Sequence, residues 1–261
     1  MPSQNGQADK AREQLRQVML DETYSAARRQ YASAISAILI NIGDWLAIDS
    51  WLGGGKVAVT TRREEFGGAF TEFRGVATVV CMSAELAEAA VVMAGKDRYY
   101  AVGATIRQLI ECEYLLTLFN EDLDHARRWL ESTPDQVREQ FTSAKMRKLT
   151  GTFSNEEYWR HCSTGGHPAP KGARLLEKLD PARQAWPYAA AELATDLGLH
   201  LRRTWKATDA LLAKHHARYE QVRADQRQRA EQEWAHWRET DPLVAALTDQ
   251  QAAQRPAPGR S

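Results

Sequence analysis

The sequence predicts an all-α helical bundle. Three observations lead there. Apolar residues recur at three- and four-residue spacing along most of the chain, glycine and proline are concentrated at a few points, and one short stretch, residues 56–61, reads as extended.

Taken in order, the first helical pattern begins near Asp9. Leu15, Val18, Met19 and Glu22 keep helical spacing, and Ile35, Ile38, Leu39, Ile42, Trp45 and Leu46 continue it, as one long helix or as two with a break in the 20s. Gly53-Gly54-Gly55 ends the pattern, because successive glycines make continued helix entropically costly. A short non-helical insertion is expected near residues 53–75, with Lys56-Val57-Ala58-Val59-Thr60-Thr61 extended and Gly67-Gly68 turning the chain. Gly55-Lys56 does not make a phosphate loop: Ser50 stands where the first glycine is needed, and Val57 has no hydroxyl for Mg²⁺. From Val76 to Ala94 the residues are nearly all small or apolar, a buried helix. The next, at 99–120, shows its core face in Ile106, Leu109, Ile110, Leu116 and Phe119. These two form the centre of the bundle, since neither has a face polar enough to stand in water.

A solvated helix follows with Leu123, Arg127 and Leu130 on recurring turns, and Thr133-Pro134 has the form of an N-cap followed by proline at the first helical position. Residues 150–174, rich in Gly, Pro, Ser and His, are expected to be loop around a short segment at Asn155–His161. The last long element starts near Pro187, with Leu193, Leu197, Leu201, Trp205, Leu212, Tyr219 and Val222 in one stripe, and runs into a highly charged extension at 223–239. The organisation is thus a single helical domain over 9–242, charged extension included, with a disordered tail at 243–261.

Composition narrows the function classes. Lys plus Arg and Asp plus Glu are 34 each, so the formal net charge is zero and wholesale attraction to nucleic acid or acidic membrane is not indicated. Cys81, Cys112 and Cys162 form no CxxC pair and read as free thiols of a cytoplasmic chain. The polar N-terminus carries no signal segment, and the apolar run from Ala34 to Ile48 is interrupted by Asn41 and Asp44, so no membrane partner is expected.

Two constellations could carry chemistry. Arg107 and Glu111, four apart with Glu113 nearby, share a helix face: either an ion pair at the bundle edge or an arginine turned into a polar pocket to hold an anion. The second is the island Tyr158–Pro168, YWRHCSTGGHP, which gathers Tyr158, Arg160, His161, Cys162, Ser163 and His167. Arginine neutralises phosphate charge and histidine exchanges protons near neutral pH, the two capacities that a metal-independent ribonuclease needs to leave a 2′,3′-cyclic phosphate. His161, Cys162 and His167 lack a diagnostic zinc spacing, His200 stands isolated, and His215-His216 cannot share a pocket on a regular helix, so no metal or cofactor is expected.

The segments IRQLIECEYLL, at 106–116, and EYWRHCSTGGHP, at 157–168, resemble bacterial all-helical proteins of the HEPN superfamily, some of them associated with phage defence or toxin–antitoxin systems. The resemblance spans residues 76–215. It implies a HEPN-like bundle, commonly dimeric, and an endoribonuclease motif in which Arg160 matches the arginine, His161 the polar follower and His167 the histidine after six intervening positions. In that reading Arg160 and His167 are catalytic and RNA is the substrate. Arg107, Glu111, Tyr158, His161 and Ser163 bind or position it. The family's histidine normally lies on a helix. Here Gly165-Gly166 precede His167 and Pro168 and Pro170 follow, which biases it away from helical geometry. The alternative is a non-catalytic interaction or regulatory protein, with Tyr158 and Ser163 in a structural network with Arg107 or Glu111. A homodimer is expected in either case. Trp234 and Trp237, three apart in the charged extension, need an apolar surface that a second subunit or the parent bundle would supply.

Overall fold

The computed structural model describes residues 13–14, 17–51, 70–151, 153–166, 170–176, 186–216 and 219–254. Helix α1 (Glu22–Trp51) starts just after a break at Asp21, whose carboxylate accepts the Thr23 backbone N–H at 2.8 Å. The break therefore falls in the 20s, where the periodicity allowed one. Helix α2 (Phe70–Ala94) begins earlier than the Val76 start read from its apolar run, because Phe73 is already fully buried and the turn containing it belongs to the core. Residues 52–69, including Gly53–Gly55, Gly67-Gly68 and the extended piece at 56–61, lie outside the described residues.

Helix α3 (Tyr99–Glu121) is the hub. It packs on α2 and on the long helix α8 (Trp186–His215), and α1 lies across α2 and α8. The core is where these four meet: Ile35, Ile38 and Ile42 of α1, Val76 and Val80 of α2, Ile106 and Ile110 of α3, and Leu201 and Trp205 of α8 are all inaccessible to solvent. Helix α2 is also the one helix among the described residues long and apolar enough to cross a membrane. Its contacts with α1, α3 and α4 account for that apolarity as the lining of a protein core.

Three short helices cover one end of α3: α4 (Asp124–Glu131), α5 (Pro134–Gln140) and α6 (Ser143–Thr150). Thr133 caps α5 reciprocally with Gln136, as the Thr-Pro signal predicts, and Thr142 caps α6, splitting what reads in sequence as one segment. Helix α7 (Asn155–His161) runs directly into a π-helical turn at Cys162–Gly166, and a 3₁₀ turn follows at Pro170–Leu175. This region is more regular than its composition suggests. The reason is packing: a Cβ on Gly165 would lie 2.8–3.0 Å from backbone atoms of Gly103 and Ala104, so glycine there lets the π turn rest directly on α3.

The charged extension folds back. After α8 the chain breaks at His216, whose ring packs on Trp45 (4.8 Å between centroids) and edge-on to Phe73 (5.1 Å). Helix α9 (Tyr219–Thr240), kinked at Arg223, then lies along α1. Trp237 is buried and stacks on Tyr31 at 4.3 Å, while Trp234 meets Tyr31 at 5.8 Å beneath the Arg202 guanidinium. Trp237 slides into a slot at Gly198, where a Cβ would be 2.4 Å from its ring. These two aromatics thus find their apolar surface within their own chain, so of the two surfaces expected for them it is the parent bundle that supplies it. Nor are residues 243–254 without structure: α10 (Pro242–Gln254) continues the fold, with Val244 fully buried and Asp241 capping it by accepting the Leu243 N–H at 3.0 Å, and the rest of the expected tail, 255–261, lies outside the described residues. Asp241 also forms a buried ion pair with Arg28, Nε to Oδ2 at 2.7 Å, with both side chains 0% exposed.

Candidate functional site

The polar residues of α3, α7 and α8 separate into two clusters. The first is built on Arg107 and Glu111, which one helical turn places on the same face of α3. Arg107 Nη2 donates to Glu111 Oε1 and to the Tyr158 hydroxyl, both at 3.0 Å, and Ser143 at the start of α6 donates to the same Glu111 oxygen at 2.8 Å. Arg147 lies 4.3 Å over the Tyr158 ring and donates to Asn155 at 2.9 Å, locking α6 to α7. Burial works against the Arg107 charge, but the hydrogen bonds it donates to Cys162 and Tyr158 and the Glu111 carboxylate outweigh it and hold the guanidinium more firmly protonated than a free arginine.

The second cluster is buried. Acid–x₃–His pairs on two helices face each other: Glu157 and His161 on α7, Asp196 and His200 on α8. His161 Nδ1 donates to the Glu157 carbonyl at 2.7 Å, and its Nε2 faces Asp196 Oδ2 at 2.6 Å and His200 Nε2 at 3.3 Å. His200 Nδ1 reaches Glu113 Oε2 at 3.2 Å. Arg203, one turn further along α8, donates Nε to Glu113 at 2.7 Å and Nη1 to Glu157 at 2.6 Å, closing the ring of charges. Burial raises the Asp196 carboxyl, but the His161 hydrogen bond and nearby positive charge take it down to about 2. For His161 burial disfavours the charge, and the Asp196 contact reverses that and raises its pKa above the ordinary imidazole value. Glu157 is held below the usual carboxylate range: Arg203 first, then His200, overcome its desolvation.

The residues anticipated from sequence divide accordingly. Arg107, Glu111 and Tyr158 come together in the first cluster, as the structural-network alternative expects. Ser163 does not join them; it donates to the Arg160 carbonyl at 2.9 Å and finishes its own helix. His161 belongs to the buried cluster. Arg160, 55% exposed, sits at the rim of a recess that His161, Thr164, Glu192 and Asp196 also line, with Nη2 3.5 Å from Asp196 Oδ1. His167 lies outside the described residues, and so does its geometry relative to Arg160. His200, isolated in sequence, is in the middle of the buried cluster. The signal that would have found it is the spacing of Asp196, His200 and Arg203, which places three ionisable groups on successive turns beside the Leu193–Leu197–Leu201 stripe.

Searches against protein-family models, curated proteins and solved structures give no match to this chain.

Proposed function

We propose that this chain is a non-catalytic interaction protein that pairs with a second copy of itself through the open face of α3. The observation behind this reading is a groove with a self-complementary floor. Two adjoining depressions of about 580 and 600 Å³ flank α3 and share Arg107, Glu111 and Leu115. Their far rims carry Trp159, 62% exposed, and Met82, 45% exposed. Tryptophan and arginine around an apolar patch are the composition of protein contact surfaces. A two-fold axis across the groove would set each Arg107 against the other copy's Glu111, the reciprocal pairing an isologous interface requires. The HEPN resemblance, commonly dimeric, agrees with this arrangement, and three free thiols agree with a cytoplasmic setting.

Light scattering at tens of micromolar tests the pairing. The wild type is expected as a dimer, and Arg107→Glu and Glu111→Arg each as monomers. Mixing those two variants restores opposite charges at both contacts and should yield a heterodimer. A monomeric wild type, or dimers untouched by either substitution, would sink the reading.

The endoribonuclease reading is supported by one feature, the exposed Arg160 guanidinium at a recess shared with His161. Against it, Glu192 and Asp196 line the same recess and repel phosphate. Incubation with RNA in EDTA, followed by end-group analysis, decides it. A 2′,3′-cyclic phosphate product lost in both Arg160→Ala and His167→Ala establishes the nuclease. No cleavage, or equal cleavage by the variants, removes it.

A further inference from the structure

We propose that His161 Nε2, His200 Nε2 and the Asp196 carboxylate form a binding site for one divalent transition-metal ion of the zinc type, seated between α7 and α8. Hydrogen-bond direction is the first argument. The Glu157 carbonyl can only accept, so His161 Nδ1 carries a proton and donates it. His200 Nδ1 stands 3.2 Å from the Glu113 carboxylate, which can only accept, and 3.2 Å from Arg203 Nη2, which can only donate; in the metal-binding tautomer its proton goes to Glu113. His161 Nε2 donates its proton to Asp196 at 2.6 Å; an ion that displaces that proton finds the Nε2 lone pairs of both rings and the Asp196 carboxylate converging on it. Three electron-rich atoms converging in a buried space need a positive charge among them. A backbone carbonyl and a carboxylate behind the two imidazoles are the outer partners that metal-bound histidines usually have.

Distance is the second argument. Two nitrogens bound tetrahedrally to Zn²⁺ at about 2.0–2.1 Å are roughly 3.3–3.4 Å apart. The two Nε2 atoms stand 3.3 Å apart, and the potential ligand atoms of all three residues lie within 4.8 Å of one another. The Asp196 oxygen at 2.6 Å from His161 Nε2 is nearer than two ligands of one ion normally come, so the carboxylate withdraws by about 0.7 Å when the ion enters. The recess beside the cluster measures about 10 Å³, room for roughly one water, which would complete the coordination from the Arg160 side.

Charge is the third. Asp196, Glu113 and Glu157 bring three negative charges to the cluster, and Arg203 and Arg160 bring two positive ones. With the His161 proton displaced and both imidazoles neutral, a residual negative charge remains that the ion offsets. Two nitrogens and a carboxylate suit zinc, cobalt or ferrous iron and do not suit magnesium or calcium, which prefer all-oxygen shells. The three ligands are not among the residues that line the α3 groove, and the site stands or falls separately from the pairing proposed above.

The test uses full-length protein stripped with EDTA and titrated with Co²⁺. The expected result is one Co²⁺ per chain with visible d–d absorption, displaced by one equivalent of Zn²⁺. His161→Gln, His200→Gln and Asp196→Asn should each abolish stoichiometric binding, His215→Gln should leave it intact, and Glu113→Gln should weaken it about 10-fold through loss of the partner behind His200. Circular dichroism checks that each variant folds. Should the histidine variants not fold, X-ray absorption on Zn²⁺-loaded wild type decides without them: scattering from two imidazoles supports the site, and a shell lacking them overturns it. Absence of stoichiometric Co²⁺ uptake, or uptake unchanged in folded His161→Gln and His200→Gln, overturns it equally and leaves an imidazolium proton at His161 as the positive charge.

Discussion

Replacing Asp241 by alanine should be among the most damaging single changes available to this fold. Arg28 and Asp241 are both fully buried and joined by two hydrogen bonds, Nε to Oδ2 at 2.7 Å and Nη2 to Oδ1 at 3.3 Å. With the carboxylate gone, Arg28 keeps only the carbonyls of Met19 at 3.3 Å and Val18 at 3.4 Å, and neither carries a charge. Breaking one side of a buried pair costs about 3–5 kcal/mol because the remaining charge is uncompensated. Asp241 also caps α10 through the Leu243 N–H, and loss of a cap adds about 1 kcal/mol. The expected destabilisation is therefore about 4–6 kcal/mol, comparable with the whole stability of many domains. Urea unfolding followed by circular dichroism measures it. Asp241→Asn retains the cap oxygen and should cost less than alanine. The double variant Arg28→Met/Asp241→Leu removes both charges and should lie much nearer wild type than the sum of the single changes. If Asp241→Ala costs under about 1 kcal/mol, or the two single changes simply add, the pair is not the lock described here.

Other consequences can be checked as directly. Gly198→Ala, ordinarily stabilising by about 1 kcal/mol inside a helix, should instead destabilise by roughly 1–2 kcal/mol, because its Cβ enters the Trp237 ring at 2.4 Å; adding Trp237→Phe should reduce the cost, and a stabilised single variant would contradict the slot. Gly165→Ala meets α3 backbone that cannot move aside, so hydrogen exchange should show α7 and the π turn opening more often while α1 and α2 keep their protection. At pH 8 a thiol reagent should label Cys81 first, and Cys112 and Cys162 only in denaturant. Burial pushes the Cys112 thiol up to about 11 and Cys162 is nearly inaccessible, so rapid labelling of all three in the native state would refute their placement.

The bundle was legible because its signal is periodic. Ile35, Ile38, Ile42, Ile106, Ile110, Leu197 and Leu201 lie in the core faces that their spacing predicts. Local chemistry was equally readable at Thr133-Pro134, where a cap depends on neighbours in sequence. What depended on distant partners was not. The tryptophans of α9 needed a surface, but that the surface is Tyr31 and Gly198 is a matter of tertiary approach. Gly165-Gly166 read as a loop because a glycine required for backbone contact looks like a glycine required for a turn. The second cluster was half visible: His161 stood out in a polar island, whereas Asp196, His200 and Arg203 were hidden beside an apolar stripe and Glu113 among the charges of α3.

The return of α9 and α10 onto α1 has a consequence for how the protein is made. Arg28 waits for a partner 213 residues later in the chain, and Tyr31 for the tryptophan that stacks on it. At about 5–20 residues per second, that interval lasts roughly 10–40 s on the ribosome. Throughout it, α1 has helix α2 to pack against but an aromatic flank left bare and a guanidinium without its carboxylate. The nascent chain thus presents a sticky surface on α1, and it loses that surface only when α9 and Asp241 have emerged. Sequence changes in α9 and α10 should consequently be felt first as yield from synthesis, before any property of the finished molecule.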